Sequence, residues 1–187
     1  LAEMSRERDF VQYAAFANIL SGWARFETGD RSTGIAEIRQ GIEGCHAIGS
    51  YTITPFWLKL LAEMLSRNGE IEQALEIVAE ALAEMERMEE VFWEAELHRL
   101  HGQLLLESDS SNAAQSEASF QHAVKAARAQ KAKGWELRAA TSLARLWHSQ
   151  KKTDEARGLL APIYDWFTEG FDTADLKDAK ALLDELG

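Results

Sequence analysis

Glu94, His98 and His101 fall four and three residues apart, a spacing that on a helix brings one carboxylate and two imidazoles to one face. Zinc takes such donors. The order is not the HExxH arrangement, in which one helix supplies two zinc ligands and a general base, and histidines inside repeat helices are commonly packed and hydrogen-bonded. These positions are therefore expected to be structural. Asp172, Asp175 and Asp178 set three carboxylates at intervals of three, but the loop glycine and closing bidentate glutamate of an EF-hand are missing. The segment GDRSTG (29–34) has the glycine and hydroxyl content of a phosphate loop without its lysine. No glycine in the chain is followed directly by lysine, so GxxxxGK[ST] is absent. Serine, histidine and aspartate are scattered, with no nucleophile placed beside a base. The expectation is no catalytic residue, no metal, no cofactor and no enzymatic activity in this chain.

The elements that carry these residues are helical. Ala, Leu, Glu, Gln, Arg and Lys dominate the 187 residues, prolines number two, and the β-branched and aromatic runs that strands need are missing. An apolar content of 46% is enough for a real core. With 31 acidic against 20 basic residues the formal net charge is −11, which argues against nucleic acid as a direct partner. Cys45 is alone among apolar neighbours, so it is expected to be a buried, inert thiol and to suit a reducing, cytoplasmic setting. The longest apolar stretch, 13–26, is broken by Asn18, Ser21 and Arg25, so no membrane span is expected. The chain starts at Leu1 without Met, inside what reads as a helix end. It is expected to be a fragment of a larger protein, with 1–8 the tail of a preceding helix.

Four segments repeat: GWARFETG from Gly22, AEMLSRNG from Ala62, GQLLLESD from Gly102 and ARLWHSQK from Ala144, with spacings of 40, 40 and 42. Each precedes a second helix with a small, large, small pattern, clearest in Ala74, Val78, Ala81 and in Ser116, Phe120, Ala123, with Gly34, Ile38, Gly41 and Ala156, Leu160, Ile163 as weaker versions. A small residue lets two helix backbones approach, and the large one fills the space beside it. The order resembles the tetratricopeptide repeat, matched best by Ala62, Leu65, Gly69, Ala74, Val78 and Ala81, although the usual period is about 34. The implied architecture is all-α: four hairpins in a right-handed superhelix forming one domain over 1–187, closed by a C-terminal cap at 171–187. First helices are predicted at about 9–28, 54–68, 89–107 and 133–150, second helices at about 31–48, 70–87, 112–130 and 152–168, and the cap helix at about 173–186.

On the tetratricopeptide analogy, the first helices line a concave groove. Its floor then includes Lys59, Glu63 and Arg67, next Glu96, Arg99 and Gln103, next Arg138, Thr141 and Arg145. Arg99, Arg138 and Arg145 could hold a partner's carboxylate bidentately. They could instead lace the repeats together, Glu96 with Arg138 or Glu63 with Arg99. In the first repeat the floor reads Phe16, Ile19, Trp23 and Phe26, an apolar interface that needs an upstream repeat or a partner to cover it, unless the register there is shifted by one residue. In the last helix Leu176, Ala179, Leu182, Leu183 and Leu186 share a face, leaving Asp178 and its neighbours to water, with Asp172 or Thr173 as N-cap. Trp166 is expected to anchor the last hairpin to this cap.

The stretches AELHRLHGQLLLES (95–108), ELRAATSLARLWHSQKKTDEARGLLAPIYDWF (136–167) and TEGFDTADLKDAKALLDEL (168–186) resemble the C-terminal tetratricopeptide region of bacterial adenylate or guanylate cyclases with a central AAA/STAND-type ATPase. Related ATPase-linked transcriptional regulators carry similar tails. The resemblance implies a non-catalytic regulatory module for protein or peptide partners, among them the parent's own ATPase and cyclase domains, with homo-oligomerisation open. A small-molecule sensor inside the superhelix is the alternative it leaves.

Overall fold

The computed structural model describes residues 2–51 and 53–187, with side-chain surroundings given from residue 11 apart from residue 52. Among the described residues there is no strand; the helices are α1 (Ala2–Glu27), α2 (Arg31–Ala47), α3 (Thr54–Arg67), α4 (Ile71–Arg87), α5 (Glu94–Ser108), α6 (Ala113–Ala129), α7 (Lys133–Ser149), α8 (Thr153–Tyr164) and α9 (Ala174–Leu186). They pair as α1–α2, α3–α4, α5–α6 and α7–α8, and a 3-10 turn at Ser110–Asn112 joins α5 to α6. The chain forms two compact units, Leu1–Glu89 and Glu90–Gly187.

In the N-terminal unit the small residues set the approach of α1 to α2. A Cβ built on Gly22 would stand 2.6 Å from the Gly34 carbonyl oxygen, and one on Gly41 would stand 2.5 Å from the Ile19 side chain. Ile38, between Gly34 and Gly41 of α2, is fully buried. The expected small and large positions of α4, Ala74, Val78 and Ala81, are equally closed to solvent. Gly69 turns α3 into α4 at a φ of 85°, a left-handed conformation that costs glycine nothing.

In the C-terminal unit Phe120 lies over Gly102, where a Cβ would meet the ring at 2.7 Å, and the buried Ser116 hydroxyl donates to the Gly102 carbonyl oxygen at 2.7 Å. One continuous core then runs from α6 through α7 and α8 to α9, whose Leu176, Ala179, Leu182, Leu183 and Leu186 are all buried. The last helix thus covers the apolar flank of the hairpin before it.

Several boundaries differ from expectation. Helix α1 runs continuously from Ala2 to Glu27, whereas its start is predicted at about residue 9. Glu89 adopts a φ of 53° and ends α4, which delays α5 to Glu94. Pro162 takes an amide out of the α8 ladder, and that helix stops at Tyr164. Thr173 stands at the N-cap of α9 but its hydroxyl donates to the Gly170 carbonyl oxygen at 2.8 Å, and no side chain caps the helix. Trp166 is 58% exposed, with Lys133 over its ring at 5.6 Å; Phe167 instead packs on the core.

Candidate functional site

Helices α5, α6, α7 and α9 of the C-terminal unit bound a cavity of about 770 Å³. Five of the positions expected on the groove floor, Arg99, Gln103, Arg138, Thr141 and Arg145, line it. Its apolar wall is Leu106, Ala113, Phe120 and Leu146, and Asp175 and Asp178 enter from α9.

The arginines are organised by carboxylates on both sides. Glu96, 1% exposed, receives Arg99 through Nε at 2.9 Å and Nη2 at 2.7 Å, and its same Oε1 lies 3.0 Å from Arg138 Nη2. Arg99 also donates to Gln103 Oε1 at 2.9 Å, and Gln103 passes the chain to Glu107 at 2.8 Å. The second oxygen of Glu96 is buried without a hydrogen-bond partner among the described residues. On the other side Arg138 Nε lies 3.7 Å from Asp175, and Arg145 donates to Asp178 at 2.7 Å. Asp178, expected to face only water, is therefore part of the arginine row. The Glu96–Arg138 pairing expected between repeats is present, and Asp175 and Asp178, which hold Arg138 and Arg145 from α9, are themselves half exposed. Thr141 turns its hydroxyl onto the Leu137 carbonyl oxygen at 2.8 Å and offers the cavity little beyond its methyl group.

Lys59 and Glu63 belong to the N-terminal unit and bind each other at 2.8 Å across one helical turn. Arg67 clamps Glu27 through both terminal guanidinium nitrogens, at 2.5 and 3.0 Å, and holds that carboxyl below its ordinary value through the hydrogen bond. Equivalent positions of successive repeats touch in this way: Glu27 with Arg67, Glu96 with Arg138, and the rings of Trp93 and Trp135, 5.7 Å apart.

The apolar stripe of α1 is a correction. Ile19 and Phe26 are core residues, with the Arg31 and Arg67 guanidinium groups 5.4 and 4.9 Å from the Phe26 ring. Phe16 is half-buried, 5.9 Å from Trp57. Of the four, Trp23 alone is exposed, as are Tyr13 and Leu20 elsewhere on α1. The close approach at Gly22 and Gly34 decides which face turns inward, and it rotates the open face away from the expected one.

The histidines also rearrange. His101 Nδ1 sits 3.0 Å from the Ser119 hydroxyl, so it leaves the Glu94–His98 face. His122 of α6 takes its place, 2.8 Å from Glu94 and stacked on the His98 ring at 3.8 Å. Burial, with the His122 ring beside it, pushes His98 down to about 4, and burial lowers His101 as well. His122 was missed, although its position was readable. In an antiparallel hairpin, one step back on one arm faces one step forward on the other. Gly102 facing Ser116 and Phe120 therefore sets Ser119 opposite His101 and His122 opposite His98.

Among the described residues no helix is long and apolar enough to cross a membrane. No family model matches the chain. An uncharacterized protein of Rhizobium meliloti (strain 1021) is 28% identical over 99 residues, which are 53% of this chain and 10% of that protein. The match thus spans about a tenth of the length of this curated relative. Among solved structures, BtubC (BKLC) from P. vanneervenii superposes with a TM-score of 0.71 at 15% identity, over 99% of this chain and 87% of that one. A Podosopora anserina kinesin light chain-type protein, made of nearly identical TPR-like repeats, gives 0.70 at 12% identity over 91% and 83%. The fold is that of the TPR-like helical repeats.

Proposed function

We propose that the chain is a non-catalytic interaction module whose C-terminal unit binds a segment of a protein partner between α5, α7 and α9. The cavity of about 770 Å³ carries this reading, because one wall is apolar and the other is a row of arginines. A segment that fits sets an apolar side chain against Leu106, Phe120 and Leu146 and a carboxylate on Arg138 and Arg145. To do so it replaces Asp175 and Asp178, which hold those guanidinium groups from exposed positions. The exchange of one carboxylate for another keeps the arginines paired throughout and makes the site selective for acidic over basic segments.

The parent in this proposal is a multidomain signalling protein in the cytoplasm, of the cyclase or transcriptional-regulator type with a central ATPase, and the partner segment is one of its own domains. The resemblance of residues 95–108 and 136–186 supports this, as does a relative of which the matched residues are a tenth. The buried Cys45, whose thiol burial pushes up, suits a reducing compartment. A small anionic ligand is the second reading, favoured by a cavity volume within the range of small-molecule sites, about 300–1,000 Å³.

Selection from a displayed peptide library tests it. Peptides that combine an acidic and a large apolar residue are expected to enrich, and Arg138→Gln with Arg145→Gln is expected to weaken them at least about tenfold, a loss of roughly 1.4 kcal/mol. Failure to enrich any peptide, while a small carboxylate or phosphate compound binds and protects the wild type alone, favours the sensor. Peptides that bind both forms equally refute the arginine site.

A further inference from the structure

Outside the cavity, two arms of one hairpin bring three metal-ligating side chains together. Glu94 and His98 stand one turn apart on α5, and His122 projects from α6; one ligand atom from each lies within 4.8 Å of the others. The geometry points to a binding site for a single borderline divalent ion of the zinc type, held by Glu94, His98 and His122. None of the three lines the cavity, so this site and the peptide site stand or fall separately.

The donor set selects the class of ion. Two imidazole nitrogens and one carboxylate oxygen suit zinc, cobalt or nickel, whereas calcium and magnesium take sets of oxygen. The positions are compatible with binding after small side-chain rotations. Zinc ligands at about 2.0–2.2 Å lie roughly 3.3 Å from one another in a tetrahedron, and Glu94 Oε1 and His122 Nε2 are already 2.8 Å apart. The hydrogen between those two atoms occupies the place an ion would take. Binding exchanges them: the ion bonds to the carboxylate oxygen and the ring nitrogen, and the ring proton passes through solvent from Nε2 to Nδ1, so the ligating imidazole stays neutral.

His98 completes the set from the side. Its ring lies 3.8 Å from that of His122 with an interplanar angle of 23°, and among the described residues no hydrogen bond ties either of its nitrogens. His101, by contrast, is engaged with Ser119, and His46 lies 3.4 Å from Thr54 in the other unit. The site is half-buried on the α5 side and exposed at His122, so a three-ligand ion keeps an outward position for water or for a donor from a partner. An ion held this way ties α5 to α6 and stabilises the hairpin by linkage.

The test is a calorimetric titration of the tag-free chain with Zn²⁺, repeated with Co²⁺ read by its visible spectrum, in a buffer that does not chelate metal. One equivalent is expected to bind, with melting temperature raised and a cobalt spectrum of low-symmetry coordination. His122→Asn changes an exposed residue and leaves the core intact, and it is expected to weaken binding by at least about tenfold. His98→Asn and Glu94→Gln should each do the same, with His101→Asn and His46→Asn close to wild type. Circular dichroism of each variant checks that the helices remain. Absence of saturable Zn²⁺ binding to the folded wild type overturns the proposal. So does binding that His98→Asn and His122→Asn leave unchanged.

Discussion

At the scale of single residues, the buried carboxylates Glu96 and Glu136 tie neighbouring helices together. Glu136 is 3% exposed and takes Arg128 Nε at 2.8 Å on one oxygen and Lys133 Nζ at 2.6 Å on the other, joining the end of α6 to the start of α7. Burial alone raises its carboxyl; the Lys133 and Arg128 hydrogen bonds outweigh that and leave it below the ordinary value of 4.5. A depressed folded-state value means that the pairing stabilises fully above the unfolded range and is lost as pH falls through the folded value. Glu136→Gln is therefore expected to cost about 1–3 kcal/mol at neutral pH. Urea titrations from neutral into acid solution should show wild type and variant converging below the ordinary carboxyl value of 4.5. A difference that stays constant with pH would show that shape, not charge, is what Glu136 provides. Such pairs were only partly legible in the sequence. Glu96 with Arg138 follows from equal positions in successive repeats, but Arg145 with Asp178 depends on how α9 lies along α7, which no repeat spacing encodes.

At the scale of helices, the sequence was most readable where packing is set by side-chain volume. The small, large, small positions of each second helix are all buried, and so is the apolar face of α9, because a residue without bulk at a crossing point can be recognised by type alone. Helix ends were less readable, since Glu89, Lys131 and Lys151 take left-handed conformations that usually call for glycine. Trp166 misled for a related reason: it lies beyond the end of α8, where the helical period no longer fixes direction. One substitution type separates a packing glycine from a merely flexible one. Gly22→Ala forces a Cβ to within 2.6 Å of the Gly34 carbonyl oxygen and 2.8 Å of the Ile38 amide, so α1 and α2 must part. Its expected cost is about 1–3 kcal/mol or more. Gly158, exposed in α8 with nothing within 4 Å of its Cβ position, should gain about 0.8–1.0 kcal/mol from the same change. Thermal melts of the two variants should move in opposite directions. A Gly22→Ala protein as stable as wild type would contradict the close-packed crossing.

At the scale of the molecule, the fold is a TPR-like array described as two compact units, and the candidate sites sit in the second of them. Five residues expected on the groove floor line the cavity, because the first helices of such repeats share one register. The sequence did not foresee that α9, the cap, also supplies Asp175 and Asp178 to the same cavity. That double duty links stability to the proposed recognition: the helix that covers the last apolar flank also holds the arginines that the proposed segment would engage. The N-terminal unit offers a different surface, Tyr13, Leu20 and Trp23 on α1, all of them exposed. The most direct measurement is hydrogen exchange by mass spectrometry on the chain with and without a peptide from the library selection. Slowed exchange is expected in α5, α7 and the first turns of α9, around Arg99–Glu107, Arg138–Gln150 and Ala174–Asp178, with α1 and α2 unchanged. Protection confined to α1 around Tyr13–Trp23, with no change in α7 and α9, would contradict the cavity as the binding site.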